Sequence, residues 1–160
     1  MAAQKRGRFS YDYPRPALTV DLVVMTHPAR PRVLLIRRKS PPFATKWSLP
    51  GGFVDENEPL ETAARRELEE ETGVSVAGIE QLYTFGDPGR DPRGWTVSVA
   101  YLAWVDQSKV RPRAGDDAAE VGWFALGRLP PLAFDHAVIL ERARIMVTKR
   151  GRVGRSERSE

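Results

Sequence analysis

A chain of 160 residues, 41% of them hydrophobic, can bury one substantial core and falls in the size range of a single domain. It has no cysteine, which excludes a disulfide framework, a thiolate nucleophile and a thiolate metal site. The net charge of +4 sits at the ends, with Lys5, Arg6 and Arg8 at one and four arginines against Glu157 and Glu160 at the other. Phosphate contacts by loose tails give only nonspecific, salt-sensitive affinity, so no specific nucleic-acid partner is expected. The basic first residues lack an apolar h-region behind them, and no apolar run approaches the roughly 18 residues of a membrane span. A cytoplasmic protein without a membrane partner is the expectation.

In chain order, residues 1–16 are expected to be a flexible basic lead-in, 17–149 a folded domain and 150–160 a disordered tail. The run from Ala17 to Met25, interrupted by Asp21, has the β-branched enrichment of a strand. After the prolines between His27 and Pro31, Arg32 to Arg38 reads as its hairpin mate. Trp47 to Phe53 mixes a short strand with Gly51-Gly52, where backbone can approach a partner closely. Pro59 to Thr72 contains no interior glycine or proline and predicts a helix, with Asn57 as N-cap and Gly73 as its left-handed end. Ile79–Phe85, Trp95–Val105 and Ala119–Phe124 read as further strands, separated first by the turn-rich stretch Gly86 to Gly94. Phe134 to Lys149 closes the domain as an amphipathic helix. Strands interrupted by single helices predict an α+β fold, an α/β/α sandwich with a mixed β-sheet.

The helix from Pro59 carries the chemistry. At about 100° per residue, Glu67, Glu70 and Glu71 project within an arc of roughly 100°. Each like-charged pair at this spacing costs about 0.2–0.5 kcal/mol in an exposed helix, and more as water is excluded. A glutamate run is ordinarily just a solvated face, and Glu69 on the opposite side shows that the segment is simply rich in glutamate. A hard divalent cation, which prefers oxygen ligands and accepts phosphate oxygens, is the alternative.

The wider spacing decides between them: Gly52, Glu58, Arg66-Glu67-Leu68, Glu70-Glu71 and Gly73-Val74. This set resembles the Nudix hydrolase signature at every defined position, a chance match being on the order of one in a billion per start position. The resemblance implies a Nudix-type sandwich that hydrolyses a nucleoside diphosphate linked to another moiety. It implies Mg²⁺, with Mn²⁺ as a substitute, held by Glu67, Glu70, Glu71 and the Gly51 carbonyl. Arg66 and Glu58 would pair and orient those ligands. Glu70 is the candidate for deprotonating the attacking water, with Glu120, Asp116 and Asp117 as alternatives and Glu120 the preferred one.

The loop Phe85 to Trp95, the Ala17–Val24 strand and Leu49 to Asp55 resemble the ADP-ribose branch of the family. That implies hydrolysis of ADP-ribose to AMP and ribose 5-phosphate. A hydrolase of nucleoside triphosphates and a non-catalytic ADP-ribose-sensing module are the alternatives. Arg90 and Arg93 in this loop, one of Arg37 and Arg38, and Trp47 as a stacking surface are the substrate candidates, Arg37 being the arginine taken forward. Trp47, like Tyr83, Phe85 and Trp95, could equally belong to the core. His27 and His136 have no matching partner and receive no metal role. A homodimer is compatible with the branch, but no residue identifies an interface.

Overall fold

The structure, a computed structural model, describes residues 9–26 and 29–156. The extreme ends of the predicted lead-in and tail, and the turn at His27, lie outside the described residues. Seven strands, two α-helices and one short 3-10 segment follow in the order β1 (Ala17–Met25), β2 (Arg32–Arg38), β3 (Trp47–Ser48), β4 (Gly51–Phe53), α1 (Leu60–Thr72), β5 (Glu80–Phe85), β6 (Thr96–Trp104), Gln107–Lys109, β7 (Ala118–Ala125) and α2 (His136–Ser156).

All strands join one mixed sheet. β1 is central and runs parallel to β6 along its full length, from Ala17↔Thr96 to Met25↔Trp104. Its residues from Thr19 to Met25 are all buried because both faces of the sheet are covered. Alternation divides them. Val20, Leu22 and Val24 join Leu34, Val99, Tyr101 and the α1 residues Ala63, Ala64 and Leu68 on one face. Val23 and Met25 join Val33, Leu35, Leu102 and the α2 residues Ile139, Leu140 and Ala143 on the other. The result is the α/β/α sandwich read from the sequence. Full burial of a leucine such as Leu68 or Leu140 contributes about 1.5–3 kcal/mol, so each helix is fixed to the sheet by its apolar stripe.

The expected hairpin of β1 and β2 is abbreviated. The two strands pair antiparallel at Met25↔Val33, and along the first half of β1 the place of β2 is taken by β4, with Thr19↔Phe53, Val20↔Gly52 and Asp21↔Gly51 in register. β2 finds its other partners in β7 and β3. The divergence of β2 from β1 opens the sheet at one end, and the glycine pair of β4 lines the opening.

The bounds of α1 explain one correction. Asn57 does not cap the helix: it adopts φ 62°, and Pro59 is the capping residue, in extended conformation and without a side-chain cap. Proline at this junction supplies a pre-set φ in place of a capping acceptor. Gly73 ends the helix at φ 67°, as expected, and its N–H donates to the Glu69 carbonyl at 2.8 Å. The last two carbonyls of the helix are taken by the loop before β7: Gly115 N–H donates to Glu71 and Arg113 N–H to Thr72. α2 runs past Lys149 to Ser156, so the first part of the expected tail is helical. No helix among the described residues is long and apolar enough to cross a membrane.

Candidate active site

α1 presents its glutamates to the opening in the sheet. With Ala64 and Leu68 held against the sheet, the helical phase turns Glu67, Glu70 and Glu71 toward β4. They line a cleft of about 450 Å³ together with Gly51, Gly52, Asp55, Arg66, Ile36, Arg38, Arg93 and Asp117. Burial falls in the order Glu71, Glu67, Glu70. Glu71 lies beneath Gly51, whose N–H donates to Glu71 Oε2 at 2.9 Å, and burial with Glu67 and Asp21 nearby pushes its carboxyl up to about 8. Burial also raises Glu67, against the pull of Arg66. The Glu70 side chain is 49% exposed and open to water.

Arg66 organises this face. Its Nε and Nη2 donate to the two Glu58 oxygens at 2.8 and 2.9 Å, and Nη2 also donates to the Phe53 carbonyl at 3.2 Å. Nη1 donates to Glu67 at 2.8 Å and reaches Glu70 at 3.4 Å. The bidentate bond holds Glu58 below the usual carboxylate range and raises Arg66 in return. The expected Arg66–Glu58 pair is therefore formed, and it ties the loop before α1 to the helix.

The donor set suits a hard cation. It consists of oxygen alone, two of its carboxylates are raised by burial for want of positive charge, and a Cβ on Gly52 would stand 2.6 Å from the Glu67 carboxylate. Glycine there keeps the space in front of Glu67 open. Among the described residues no three His, Asp or Glu side chains close on a single point. Arg66 stands between Glu67 and Glu70, and Glu71 is turned to the Gly51 amide. Water and substrate oxygens would complete the coordination, as they do for Mg²⁺.

The remaining candidates correct several expectations. Arg38, not Arg37, faces the cleft, because strand alternation groups Arg38 with Ile36. Burial beside Arg93 lowers Arg38, its Nε donates to the Pro42 carbonyl, and its guanidinium lies 4.9 Å from the Phe134 ring centre. Arg37 pairs across the strands with Glu120 at 2.9 Å. Glu120 is thereby directed away from the glutamates, and Asp117 is the acidic residue of that segment that reaches the cleft. Asp116 contributes its carbonyl to Lys39. Trp47 packs edge-on against Phe124 at 4.6 Å in the α2-side core, so it presents no stacking surface to the cleft.

The loop after β5 divides its two arginines. Arg90 makes a bidentate pair with Asp135, at 2.8 and 2.6 Å, and its side chain is only 5% exposed. Arg93 is paired with buried Asp91 but stands at the cleft, its guanidinium between the rings of Phe53 and Phe134 at 4.8 and 5.0 Å. Behind it a smaller polar cavity of about 50 Å³ extends to Asp21, Ser48 and His136. Asp21 was legible only as an interruption of a strand. A charged residue inside a fully buried strand requires a partner, and that requirement was the available signal.

Comparison with known proteins agrees with this geometry. Residues 15–143 match the NUDIX domain, and the chain belongs to that family. It is 40% identical over 129 residues to the ADP-ribose pyrophosphatase of Methanocaldococcus jannaschii, covering 81% of this chain and 73% of the relative. It is 36% identical over 137 residues to the ADPR responsive transcriptional repressor NtrR of Acinetobacter baylyi, covering 82% of this chain but 54% of the repressor. Among solved structures, the NUDIX domain of Shewanella oneidensis NrtR complexed with ADP ribose superposes with a TM-score of 0.78 at 40% identity, covering 86% and 94% of the two chains. Within the family this chain is a pyrophosphohydrolase that resembles the ADP-ribose branch. Divalent metal is the general requirement of such hydrolases.

Proposed function

We propose that the protein hydrolyses ADP-ribose to AMP and ribose 5-phosphate with Mg²⁺, or Mn²⁺ in its place. The observation that supports this best is the meeting of opposite charges in one cleft. Glu67, Glu70 and Glu71 line it together with Arg38 and Arg93, whose guanidinium groups lie against aromatic rings. A diphosphate whose charge is met by the arginines and by a cation that the carboxylates would hold satisfies both. The cation, when bound, polarises the diphosphate and acidifies a water. Glu67, Glu70, Glu71 and the Gly51 carbonyl would hold it, while Arg66 and Glu58 keep the carboxylates in place. Glu70, the most exposed of the three, accepts the proton as the water oxygen bonds to one phosphorus. The bond from that phosphorus to the bridging oxygen then breaks, and the bridging oxygen leaves on the other phosphate. Arg38 and Arg93 take the charge on the far phosphate or the terminal ribose.

A panel of nucleoside diphosphate conjugates and nucleoside triphosphates, incubated with the full chain and Mg²⁺ and resolved by product, tests the reading. AMP and ribose 5-phosphate as the fastest-formed products are expected. Release of diphosphate from a triphosphate at a higher kcat/KM would replace it. Similarity to a repressor and to an ADP-ribose-bound domain favours a second reading, an ADP-ribose sensor. Tight ADP-ribose binding with no turnover in Mg²⁺ or Mn²⁺ would establish that one instead.

A further inference from the structure

The inner wall of the small cavity is a chain of polar groups that the proposed chemistry leaves unused. Ser98 Oγ on β6 donates to Asp21 Oδ2 on β1, and the bond is buried. Asp21 Oδ1 lies 3.4 Å from His136 Nε2, at the first residue of α2. His136 Nδ1 accepts the Leu49 N–H at 2.9 Å, which places the imidazole proton on Nε2, facing Asp21. Asp21 and His136 are 7% and 4% exposed, and burial lowers the imidazole pKa, in keeping with a neutral ring that donates on one side and accepts on the other. One chain of side chains thus links α2 to the paired strands β1 and β6, which lie far from it in sequence.

The chain of bonds ends where the cation site begins. Leu49 leads into Pro50, whose carbonyl accepts the Leu22 N–H at 2.8 Å, and then into Gly51. Gly51 is in register with Asp21, its N–H donates to Glu71, and a Cβ on it would stand 2.9 Å from Asp21 Oδ1. The Asp21 carboxylate therefore packs directly beneath the residue whose amide meets one proposed ligand and whose carbonyl is another.

We propose that Ser98, Asp21 and His136 form a buried relay that fixes the Leu49–Gly51 segment opposite Glu71, making Asp21 and His136 positioning residues for the cation site. This rests on the reading of Gly51 and Glu71 as ligands. The physical reason is that β4 has only three residues and β3 two, too few for the sheet ladder alone to define the Gly51 peptide to the few tenths of an ångström a metal ligand needs. The Leu49 amide, held from α2, supplies the missing constraint.

The test compares His136→Leu, His136→Asn and Ile139→Ala in the full chain. Asparagine can offer a carboxamide oxygen near the place of Nδ1, leucine cannot, and Ile139→Ala damages the same helix in its core without touching the relay. Two quantities are read: Mn²⁺ affinity from the paramagnetic signal of free Mn²⁺ without substrate, and hydrogen exchange of the Gly51 amide in metal-free protein. His136→Leu is expected to weaken Mn²⁺ binding by about 10- to 100-fold and to speed Gly51 exchange by a similar factor. His136→Asn should stay within about threefold of the parent on both. Ile139→Ala should lower the melting temperature while its Mn²⁺ affinity stays near that of the parent. Parent-like values for His136→Leu overturn the relay, as does equal loss in all three variants, which would mean generic packing. If His136→Leu does not fold, Ser98→Ala takes its place: a severalfold loss of Mn²⁺ affinity is expected and an unchanged value overturns the relay. Failure of the parent to bind Mn²⁺ would remove the cation reading instead, and the relay is then decided by Gly51 exchange alone.

Discussion

In the metal-free protein, Glu71→Gln should remove a pH dependence of stability. The Glu71 carboxyl titrates near 8 in the fold because burial, with Glu67 and Asp21 nearby, opposes its charge. In the unfolded chain it titrates near the ordinary glutamate value of about 4.3. Between those values the native state binds more protons than the unfolded state, so stability falls as pH rises, by up to about 1.4 kcal/mol per unit. From pH 5.5 to 7.5 the loss attributable to Glu71 is on the order of 2–3 kcal/mol, or roughly 4–12 °C in melting temperature for a domain of this size. Glutamine has no charge to lose and can keep an oxygen for the Gly51 N–H. His136, whose pKa burial lowers, acts in the opposite sense below pH 6.5, but it does so equally in both proteins and cancels in the difference. The assay is thermal or urea unfolding of parent and variant in EDTA at several pH values. The gap should widen in favour of the variant as pH rises, and saturating Mg²⁺ should close it by stabilising the parent. A gap that stays constant with pH, or a variant less stable than the parent at pH 7.5 in EDTA, would refute the placement of an uncompensated carboxylate under Gly51.

Gly52→Ala should lower Mn²⁺ affinity by tenfold or more on the order-of-magnitude scale of metal-site perturbations, because the new Cβ would meet the Glu67 carboxylate at 2.6 Å; calorimetric titration checks it. Arg93→Ala should raise KM for ADP-ribose, with kcat/KM reduced about 10- to 100-fold for one lost charge-assisted contact. Arg90→Ala, by contrast, should mainly lower the melting temperature, since it strips Asp135 of a nearly buried partner. Steady-state kinetics beside a melting curve separate the two. Glu120→Gln should leave kcat within about twofold of the parent and cost under about 1 kcal/mol, because its pair with Arg37 is largely exposed and points away from the glutamates.

The glutamate face of α1 was legible in the sequence because its meaning lies in spacing along one helix, where 3.6 residues per turn convert sequence directly into direction. Gly51, Gly52, Glu58 and Arg66 were legible through the family resemblance, whose signature lies within one short stretch of chain. Strand residues were harder. Arg37 and Arg38 differ only in parity, and parity depends on which face of β2 meets α1, a fact of tertiary packing that a single strand does not encode. The shift in pairing between Arg37 and Arg38 against β7 further loosens that reading. Glu120 followed the same error, since it stands opposite Arg37. Asp21, Ser98 and His136 were out of reach because their association joins β1, β6 and α2 through residues 38 to 115 positions apart in sequence.

The loop that closes the C-terminal end of α1 divides the surroundings of the site into parts that can and cannot vary. Arg113 and Gly115 give their amides to the last carbonyls of the helix, and a side chain on Gly115 would collide with the Glu70 carbonyl. From Arg113 to Asp117 the chain is therefore gauged against the same helix that carries the glutamates, and a residue gained or lost there would shift Asp117 relative to them. The turn just before it, through Lys109 and Val110, has no such bond to the helix. Changes in length can accumulate on that side of Arg113 without disturbing the carboxylates.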